Sequence, residues 1–240
     1  MIVVGLDLET TGLDKVKDRT IEVCSILWTT NFNRSLDSRT LLVQSDGVKI
    51  SPQITEITGI SQTMADKFGY SQEEAFDEMM YFVDRAEAIV AFNGRRFDVP
   101  FSAQWARRLK KVFPEKPLID PFADLPMVGQ ELITMCAKMG IYYNAHEAGA
   151  DTAAMLTLMS KFPFDLVWSR SQSPIVVVRS KQGRNENDKA KKHKFRWNPD
   201  RKIWWKAVKE MDLNVLADQV NNEFGLEVLD IPIEEMESED

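Results

Sequence analysis

The stretch Ile2-Val3-Val4-Gly5-Leu6-Asp7-Leu8-Glu9-Thr10-Thr11-Gly12-Leu13 decides the fold of this chain. Its apolar, β-branched first part predicts a buried strand at 2–8. Asp7 and Glu9 lie two residues apart at the end of that strand, so their side chains share one sheet face. Two carboxylates in apolar surroundings repel each other unless a cation neutralises them. The alternative is a strand end that emerges into solvent, where acidic residues are common, and the pair alone does not separate the two.

Strands and helices follow one another through the first 165 residues. Two strands, at 20–28 and 38–44, are expected beside the first. The other predicted elements are a proline-started helix ending at Gly59, a helix from a Ser71–Glu74 capping box to about Arg85, strands at 87–92 and 117–120, and helices at about 100–112, 129–139 and 147–161. This order predicts an α/β domain at 1–165 in which helices cover a mixed sheet.

The rest of the chain differs in composition and predicts a second module. Residues 163–174, PFDLVWSRSQSP, are expected to connect the two parts. A small α+β module is predicted at 174–230, with the strand IVVVR, a basic loop at 183–194, a hairpin around FRWNPDRKIWWKAV and a helix at about 212–224. An acidic tail occupies 231–240, and its end EEMESED is expected to be disordered.

Composition and charge indicate a globular protein with one basic segment. Of 240 residues, 44% are hydrophobic and 28% charged. The net charge is −7, yet residues 174–206 hold 11 Lys and Arg against 3 Asp and Glu. Such a block can meet phosphates although the whole chain is acidic. Cys24 and Cys136 are expected to be reduced core thiols, which favours a cytoplasmic location, and neither a signal peptide nor a membrane association is predicted.

Three further residues, Asp98, His146 and Asp151, are candidates for metal binding or proton transfer. Asp98 follows the strand at 87–92 and the turn Asn93-Gly94, and ligand sites cluster at such strand ends. It could instead cap the helix that begins near Pro100. His146 and Asp151 are five apart, about 140° around a helix, so they do not form a two-ligand pair. We therefore expect Asp151 inside the helix and His146 on the preceding turn. The alternative is that His146 is simply an exposed residue at the start of the helix, as a lone histidine usually is.

Taken together, three segments resemble the motifs of the DEDDh (DnaQ-like) 3′–5′ exonuclease family, which includes the proofreading subunit of bacterial replicative polymerases. The segments are Asp7-Leu8-Glu9-Thr10-Thr11-Gly12-Leu13, Asn93-Gly94-Arg95-Arg96-Phe97-Asp98 and His146-Glu147-Ala148-Gly149-Ala150-Asp151. The resemblance covers about residues 1–162 and implies a ribonuclease-H-like fold.

The resemblance also implies a site and a reaction. Asp7, Glu9, Asp98 and Asp151 would hold two divalent ions, and oxygen ligands favour Mg²⁺ or Mn²⁺. His146 would accept the proton of the attacking water. The expected product is a nucleoside 5′-monophosphate, and the expected substrate is a single-stranded DNA 3′ end, with a replication or repair protein as a further candidate partner.

Substrate contacts are expected around these motifs. Thr10, Thr11, Leu13 and Asn93 would lie beside the terminal nucleotide, although turn formation and packing equally explain the first three. Arg95 and Arg96 could touch phosphates or simply be solvated. Asp120, which occupies the position of an acidic residue in many relatives, is left outside the site.

The second module resembles a short module of some DNA-processing proteins with an AK…xRW…KxW pattern. Its basic and aromatic residues could neutralise phosphates and stack on unpaired bases. The candidates are Lys189, Lys191, Lys192, Lys194, Arg196, Trp197 and Trp204. The alternative is that the tryptophans form the core of the module.

Two rival functions stay open. A 3′–5′ exoribonuclease would use the same carboxylates, since discrimination depends on contacts at the 2′-OH. A non-catalytic nucleic-acid-binding or scaffold subunit would be free to lose any of these acids, so the intact set argues against it.

Overall fold

A computed structural model describes residues 1–127, 130–182 and 186–236. The chain divides into two compact units, Met1–Ser171 and Gln172–Asp240. In the described part, no helix has the length and apolar character needed to span a membrane.

The first unit is built on a five-stranded mixed sheet. Its strands are β1 Ile2–Thr10, β2 Thr20–Thr29, β3 Arg34–Leu42, β4 Ala88–Val90 and β5 Leu118–Ile119, in the order β3-β2-β1-β4-β5. β1, β2 and β3 form an antiparallel meander, whereas β4 runs parallel to β1 and β5 parallel to β4. This is the ribonuclease-H-like sheet flanked by helices that the sequence predicted, and that prediction is confirmed.

Eight described helices accompany this sheet. They are α1 Pro52–Thr58, α2 Gln62–Phe68, α3 Gln72–Arg85, α4 Asp98–Arg108, α5 Pro121–Asp124, α6 Leu132–Lys138, α7 Ala148–Met159 and α8 Phe164–Gln172. The predicted capping box is present at α3, where Ser71 and Glu74 satisfy each other's backbone N–H groups. α2 and α5 were not predicted, and α5 has only four residues, too few to show a helical period.

Alternation along β1 sends its side chains into two cores. Val4, Leu6 and Leu8 pack with α3 and α4 in one cluster. Val3 packs with α6, α7 and α8 in the other cluster. Because side chains alternate in a strand, Asp7 and Glu9 share the face of Val3 and so face the side of α7.

The prediction that residues 163–174 form a connector is wrong, since most of this segment forms the helix α8. Val167, Arg170 and Ser171 are buried along this helix, at the three- and four-residue spacing of one helical face. The guanidinium of Arg170 donates to the carbonyl of Asp124 over 2.7 Å. The first unit therefore extends to Ser171 rather than to 165.

The second unit has a four-stranded antiparallel sheet in the order β7-β8-β6-β9. Its strands are β6 Ile175–Lys181, β7 Arg196–Asn198, β8 Ile203–Lys209 and β9 Gly225–Leu229, with helices α9 Asn187–Lys192 and α10 Leu213–Val220. Val178, Phe195 and Leu216 belong to the core between this sheet and the helices.

Two expectations for this unit are corrected. The predicted basic loop at 183–194 contains α9, and its residues 183–185 lie outside the described residues. The tail EEMESED at 234–240 was expected to be disordered, but Met236 is buried against Val177 and Trp205 after a 3₁₀ turn at Ile233–Glu235. Residues 237–240 lie outside the described residues.

Candidate active site

The centre of the candidate site is the pair of carboxylates on β1. Asp7 and Glu9 are both partly buried at the end of the strand, opposite Cys24 and Glu22 of β2. Gly5, on the same face, lets α7 approach closely: an added Cβ there would lie 2.8 Å from side-chain atoms of both Thr152 and Leu156. The missing side chain therefore brings the helix onto the strand beside the two acids.

α7 supplies the third carboxylate. One ligand oxygen each from Asp7, Glu9 and Asp151 lie within 4.8 Å of one another. This donor set contains only oxygen, which suits hard cations such as Mg²⁺, Mn²⁺ or Ca²⁺. The structure thus brings together three of the four predicted ligands, and their role as ligands stays a prediction.

Asp98 lies next to this group but outside the tight cluster. It begins α4, is only 2% exposed, and its Oδ1 has no hydrogen-bond partner among the described residues. Its charge is close enough to raise the pKa of Asp7, after the larger effect of burial. A buried carboxylate oxygen without a partner is costly, and a bound cation would offset that cost.

The electrostatics of the site also fit a cation. Burial, followed by repulsion from Asp98, raises the pKa of Asp7 well above its ordinary value. Burial and then repulsion from Asp151 raise the pKa of Glu9 to about 7. Burial raises the pKa of Asp98 to about 8, and the Asp120 carboxylate adds to that shift. Without a cation the site therefore favours the protonated, neutral forms of these acids, and a bound divalent ion would favour their ionised forms instead.

His146 lies on the turn before α7 with an exposed side chain and a left-handed backbone, φ 68°. Its backbone N–H donates to Oδ2 of Asp151 over 2.8 Å. This bond ties the turn to the helix and leaves the imidazole outside the carboxylate cluster. Asp151 thus lies within α7 and His146 on the turn before it, as expected, while the roles of the two side chains stay predictions.

The loop after β1 is held by its two threonines. Thr10 Oγ1 donates to the carbonyl of Gly12 over 2.6 Å, and Thr11 Oγ1 donates to Asp18 over 2.8 Å. Leu13, at the tip of this loop, is 86% exposed. The threonine hydroxyls therefore shape the loop, and Leu13 is the member of this set that is open to a ligand.

Sequence reasoning missed the role of Asp120 in the second motif. Its Oδ1 accepts the backbone N–H of Asn93 over 2.8 Å and its Oδ2 that of Arg95 over 3.2 Å. Arg95, considered as a phosphate contact, instead donates twice to the buried Asp124 carboxylate over 3.0 Å. These bonds fix the loop between β4 and Asp98, and Asn93 needs them because its φ is 56°.

A second residue that sequence reasoning missed is Glu22. It faces Glu9 across the β1–β2 ladder, and its Oε2 accepts the backbone N–H of Ala148, the first residue of α7, over 2.9 Å. Burial raises its pKa. Glu22 thus joins the sheet to the start of the helix that carries Asp151, a contact that spans 126 residues in sequence.

The candidate nucleic-acid residues of the second unit fall into different environments. Lys189 and Lys192 pair with Glu186 and Glu223, respectively. Arg196 lies over the ring of Trp205, 4.6 Å from its centroid. The structure places Lys191, Trp197 and Trp204 together around one groove.

Comparisons with known proteins agree with this geometry. The RNase_T family model, described as Exonuclease, matches residues 4–159. A PolC-type DNA polymerase III of Thermotoga petrophila is 32% identical over 154 residues, which cover 62% of this chain and 11% of that protein. The chain thus spans about a tenth of the length of the polymerase relatives it matches.

Solved structures share the fold at low identity. E. coli exonuclease I in complex with a dA16 oligonucleotide is 17% identical, with a TM-score of 0.60 over 75% of this chain and 48% of that one. The nuclease domain of 3'hExo, a DEDDh family member bound to rAMP, is 14% identical, with a TM-score of 0.58 over 68% of this chain and 92% of that one.

Proposed function

Because the chain belongs to the RNase_T exonuclease family, we propose that it removes nucleoside 5′-monophosphates from DNA 3′ ends and prefers single strands. The observation that carries this proposal is the cluster of Asp7, Glu9 and Asp151 oxygens within 4.8 Å, at the junction of β1 and α7. Asp98, buried beside it, completes the set of four acids.

Two divalent metal ions, Mg²⁺ or Mn²⁺, are the cofactors that this donor set suits. When bound, such ions stabilise the charges that develop on the attacking and leaving oxygens of a phosphodiester. The resemblance to the family implies that Asp7 would be the ligand shared by both ions. Its proximity to Asp98, Glu9 and Asp151, which all raise its pKa, supports that role. Glu9 and Asp151 would hold one ion, and Asp98 would serve the other.

His146 is the proposed general base. It is exposed on a turn that Asp151 anchors through the backbone, so the imidazole can move while its attachment stays fixed. Accepting the proton of the attacking water suits a histidine, whose ordinary pKa is about 6.5.

The loop after β1 supports the preference for single strands. Leu13 and Val16 are 86% and 60% exposed, and they line a groove together with Phe97 and Phe101. An exposed apolar tip beside the acids can hold a terminal base that has left its neighbour, and base pairing opposes that separation. This groove is therefore the proposed site of the terminal nucleotide.

DNA is favoured over RNA because the polymerase relatives are DNA polymerases and exonuclease I was solved with a DNA oligonucleotide. Exoribonuclease activity is the second candidate, since the nuclease domain of 3'hExo was solved with rAMP. A scaffold role is disfavoured, because it gives no reason to keep buried acids that repel one another. The polymerase relatives suggest a replication protein as partner, and two buried free cysteines suit the reducing cytoplasm.

The test compares 3′-labelled and 5′-labelled single-stranded DNA, duplex DNA and RNA in Mg²⁺ and in EDTA. We expect mononucleotide release from the 3′ end of single-stranded DNA, no release in EDTA, and none from Asp7→Ala. Asp84→Asn, which changes an exposed acid on α3, is the matched control and should behave as wild type. Full activity of Asp7→Ala, or activity in excess EDTA, would refute the proposal.

A further inference from the structure

We propose that the groove of the second unit lined by Asn187, Lys191, Trp197 and Trp204 binds the unpaired bases of single-stranded DNA, with Trp197 as the stacking surface. The inference extends the proposed function, because the bound strand would be the substrate of the nuclease. Binding itself, however, needs neither metal nor catalysis.

The three tryptophans of this region have different positions. Trp205 points to one face of the sheet, is 3% exposed, and packs with Val177 and Met236. Trp197 and Trp204 are cross-strand neighbours on the opposite face, with ring centroids 5.6 Å apart. Trp197, on the edge strand β7, is 47% exposed. Core packing therefore explains Trp205 but gives no reason for a large exposed indole at Trp197.

Trp204, the neighbour of Trp197, is partly buried and makes several contacts. Its indole Nε1 donates to Oδ1 of Asn187 over 2.9 Å, and its ring packs against the core of the second unit. Lys191 Nζ lies 5.8 Å from the centroid of the same ring. Because Trp204 is fixed by these contacts, the adjacent Trp197 ring has a defined support, which lowers the entropic cost of stacking a base on it.

Positive charge next to the indoles suits the phosphates of a strand. Among the described residues, the printed ion pair of Lys191 is a 3.9 Å contact with the fully exposed Asp188. An exposed pair of this kind is weak, so the Lys191 ammonium can also bind a phosphate. Lys206 lies on the same sheet face as Trp204, two residues along β8. Burial and then repulsion from Lys194 lower the pKa of Lys206, which places two cations near each other. A polyanion would relieve that repulsion.

Single-stranded DNA is the occupant that these features favour. An indole face stacks on any unpaired base, whereas a duplex hides its base faces within the helix. The segment 174–206 has 11 basic and 3 acidic residues. Several of its cations pair with acids, as Lys192 does with Glu223, whereas Lys191 lines the groove beside the indoles. A protein ligand gives no equal reason for combining exposed indole with unneutralised lysine.

The test uses the full chain in EDTA, so that binding is measured without degradation. The probe is a 5′-labelled oligo-dT of about 20 nucleotides, longer than the ~4–16 nucleotides a small single-strand-binding fold covers. An abasic oligonucleotide of equal length supplies the same phosphates without bases. Fluorescence anisotropy is recorded for wild type, Trp197→Ala, Trp197→Phe, Lys191→Ala and the control Lys181→Ala. In that control Glu227 keeps its 2.7 Å pair with Arg179.

We expect Trp197→Ala to weaken oligo-dT binding about tenfold, or about 1.4 kcal/mol, and abasic binding less than about twofold. Trp197→Phe should keep most of the affinity, and Lys191→Ala should reduce the salt dependence more than Lys181→Ala does. Melting curves must show that the variants stay folded, which the exposure of Trp197 favours.

Equal binding of oligo-dT by wild type and folded Trp197→Ala would overturn the proposal and assign the groove to a protein partner or to stability. So would equal losses on the oligo-dT and abasic probes, since they would exclude stacking. Cleavage of a trinucleotide in Mg²⁺ is assayed on the same samples. Absence of that cleavage in wild type would contradict the proposed function and leave the binding result intact.

Discussion

Replacing Asp98 by asparagine should make the metal-free protein more stable. Burial raises the pKa of Asp98 to about 8 from an ordinary 3.8, so the unfolded chain releases this proton far more readily than the folded one. Wild-type stability therefore falls as pH rises from about 4 to about 8. At pH 7 the difference amounts to about 4 kcal/mol, taking about 1.4 kcal/mol per pKa unit. Asparagine does not ionise in either state and escapes this cost.

The net gain in the free energy of unfolding is smaller, because the buried amide of the new asparagine needs hydrogen-bond partners. Subtracting about 1–2 kcal/mol for that requirement leaves about 2–3 kcal/mol, or roughly 5–10 °C in Tm for a unit of this size. At pH 5 the pKa contribution falls to about 2 kcal/mol, so the gain should nearly vanish.

Differential scanning calorimetry in EDTA at pH 5 and pH 7 measures both values, and the exposed Asp84→Asn is the control, with an expected change within about 0.5 kcal/mol. Adding Mg²⁺ should stabilise wild type more than Asp98→Asn. The reasoning fails if Asp98→Asn is no more stable than wild type at pH 7, or if its advantage is as large at pH 5.

Three further substitutions test other contacts. His146→Ala should slow cleavage by roughly 10²–10⁴-fold while calorimetric Mg²⁺ binding survives, and a loss of binding as large as that of Asp151→Ala would make His146 a ligand instead. Glu22→Ala should raise the Mg²⁺ concentration for half-maximal activity about tenfold, because the backbone N–H of Ala148 at the start of α7 loses its acceptor. Glu22→Gln keeps an acceptor oxygen for Ala148 and should stay near wild type. Identical Mg²⁺ titrations of both variants would count against the role of Glu22 in positioning α7. Arg95→Ala should cost about 3 kcal/mol in urea unfolding, because the Asp124 carboxylate is fully buried and loses its two guanidinium bonds, and a change below about 1 kcal/mol would show that other contacts suffice.

Sequence periodicity predicted the elements that place the acids, but not the contacts that hold them. The apolar run before Asp7 identifies β1, and the two-residue spacing puts Glu9 on the same face. The role of Glu22 was not predicted and Asp120 was left outside the site, because each carboxylate accepts backbone N–H groups of another segment, 126 and 27 residues away. Nothing in a local pattern specifies which distant amide a carboxylate will meet.

In the second unit, the sequence pattern likewise does not specify which tryptophan is buried. Alternation separates Trp204 from Trp205, so one of them had to face away from the other. Which of the two belongs to the core depends on what covers each face, and here Met236 from the tail helps to cover Trp205. For α8, by contrast, a signal was present in the three- and four-residue spacing of the apolar Phe164, Val167 and Trp168, and the serine-rich end of the segment concealed it.

We expect the glycine at position 5 also to influence the size of ion that the proposed site accepts. A Cβ at this position would lie 2.8 Å from side-chain atoms of Thr152 and Leu156, so strand and helix pack too closely to admit a side chain there. The distance from Asp7 to Asp151 depends on the separation of strand and helix. A methyl group at position 5 would push the helix outward and widen the gap between the two carboxylates. Small ions, which demand short and regular coordination, would then lose more affinity than larger and more tolerant ones such as Ca²⁺. Selectivity among cations would thus depend on a residue that touches none of them.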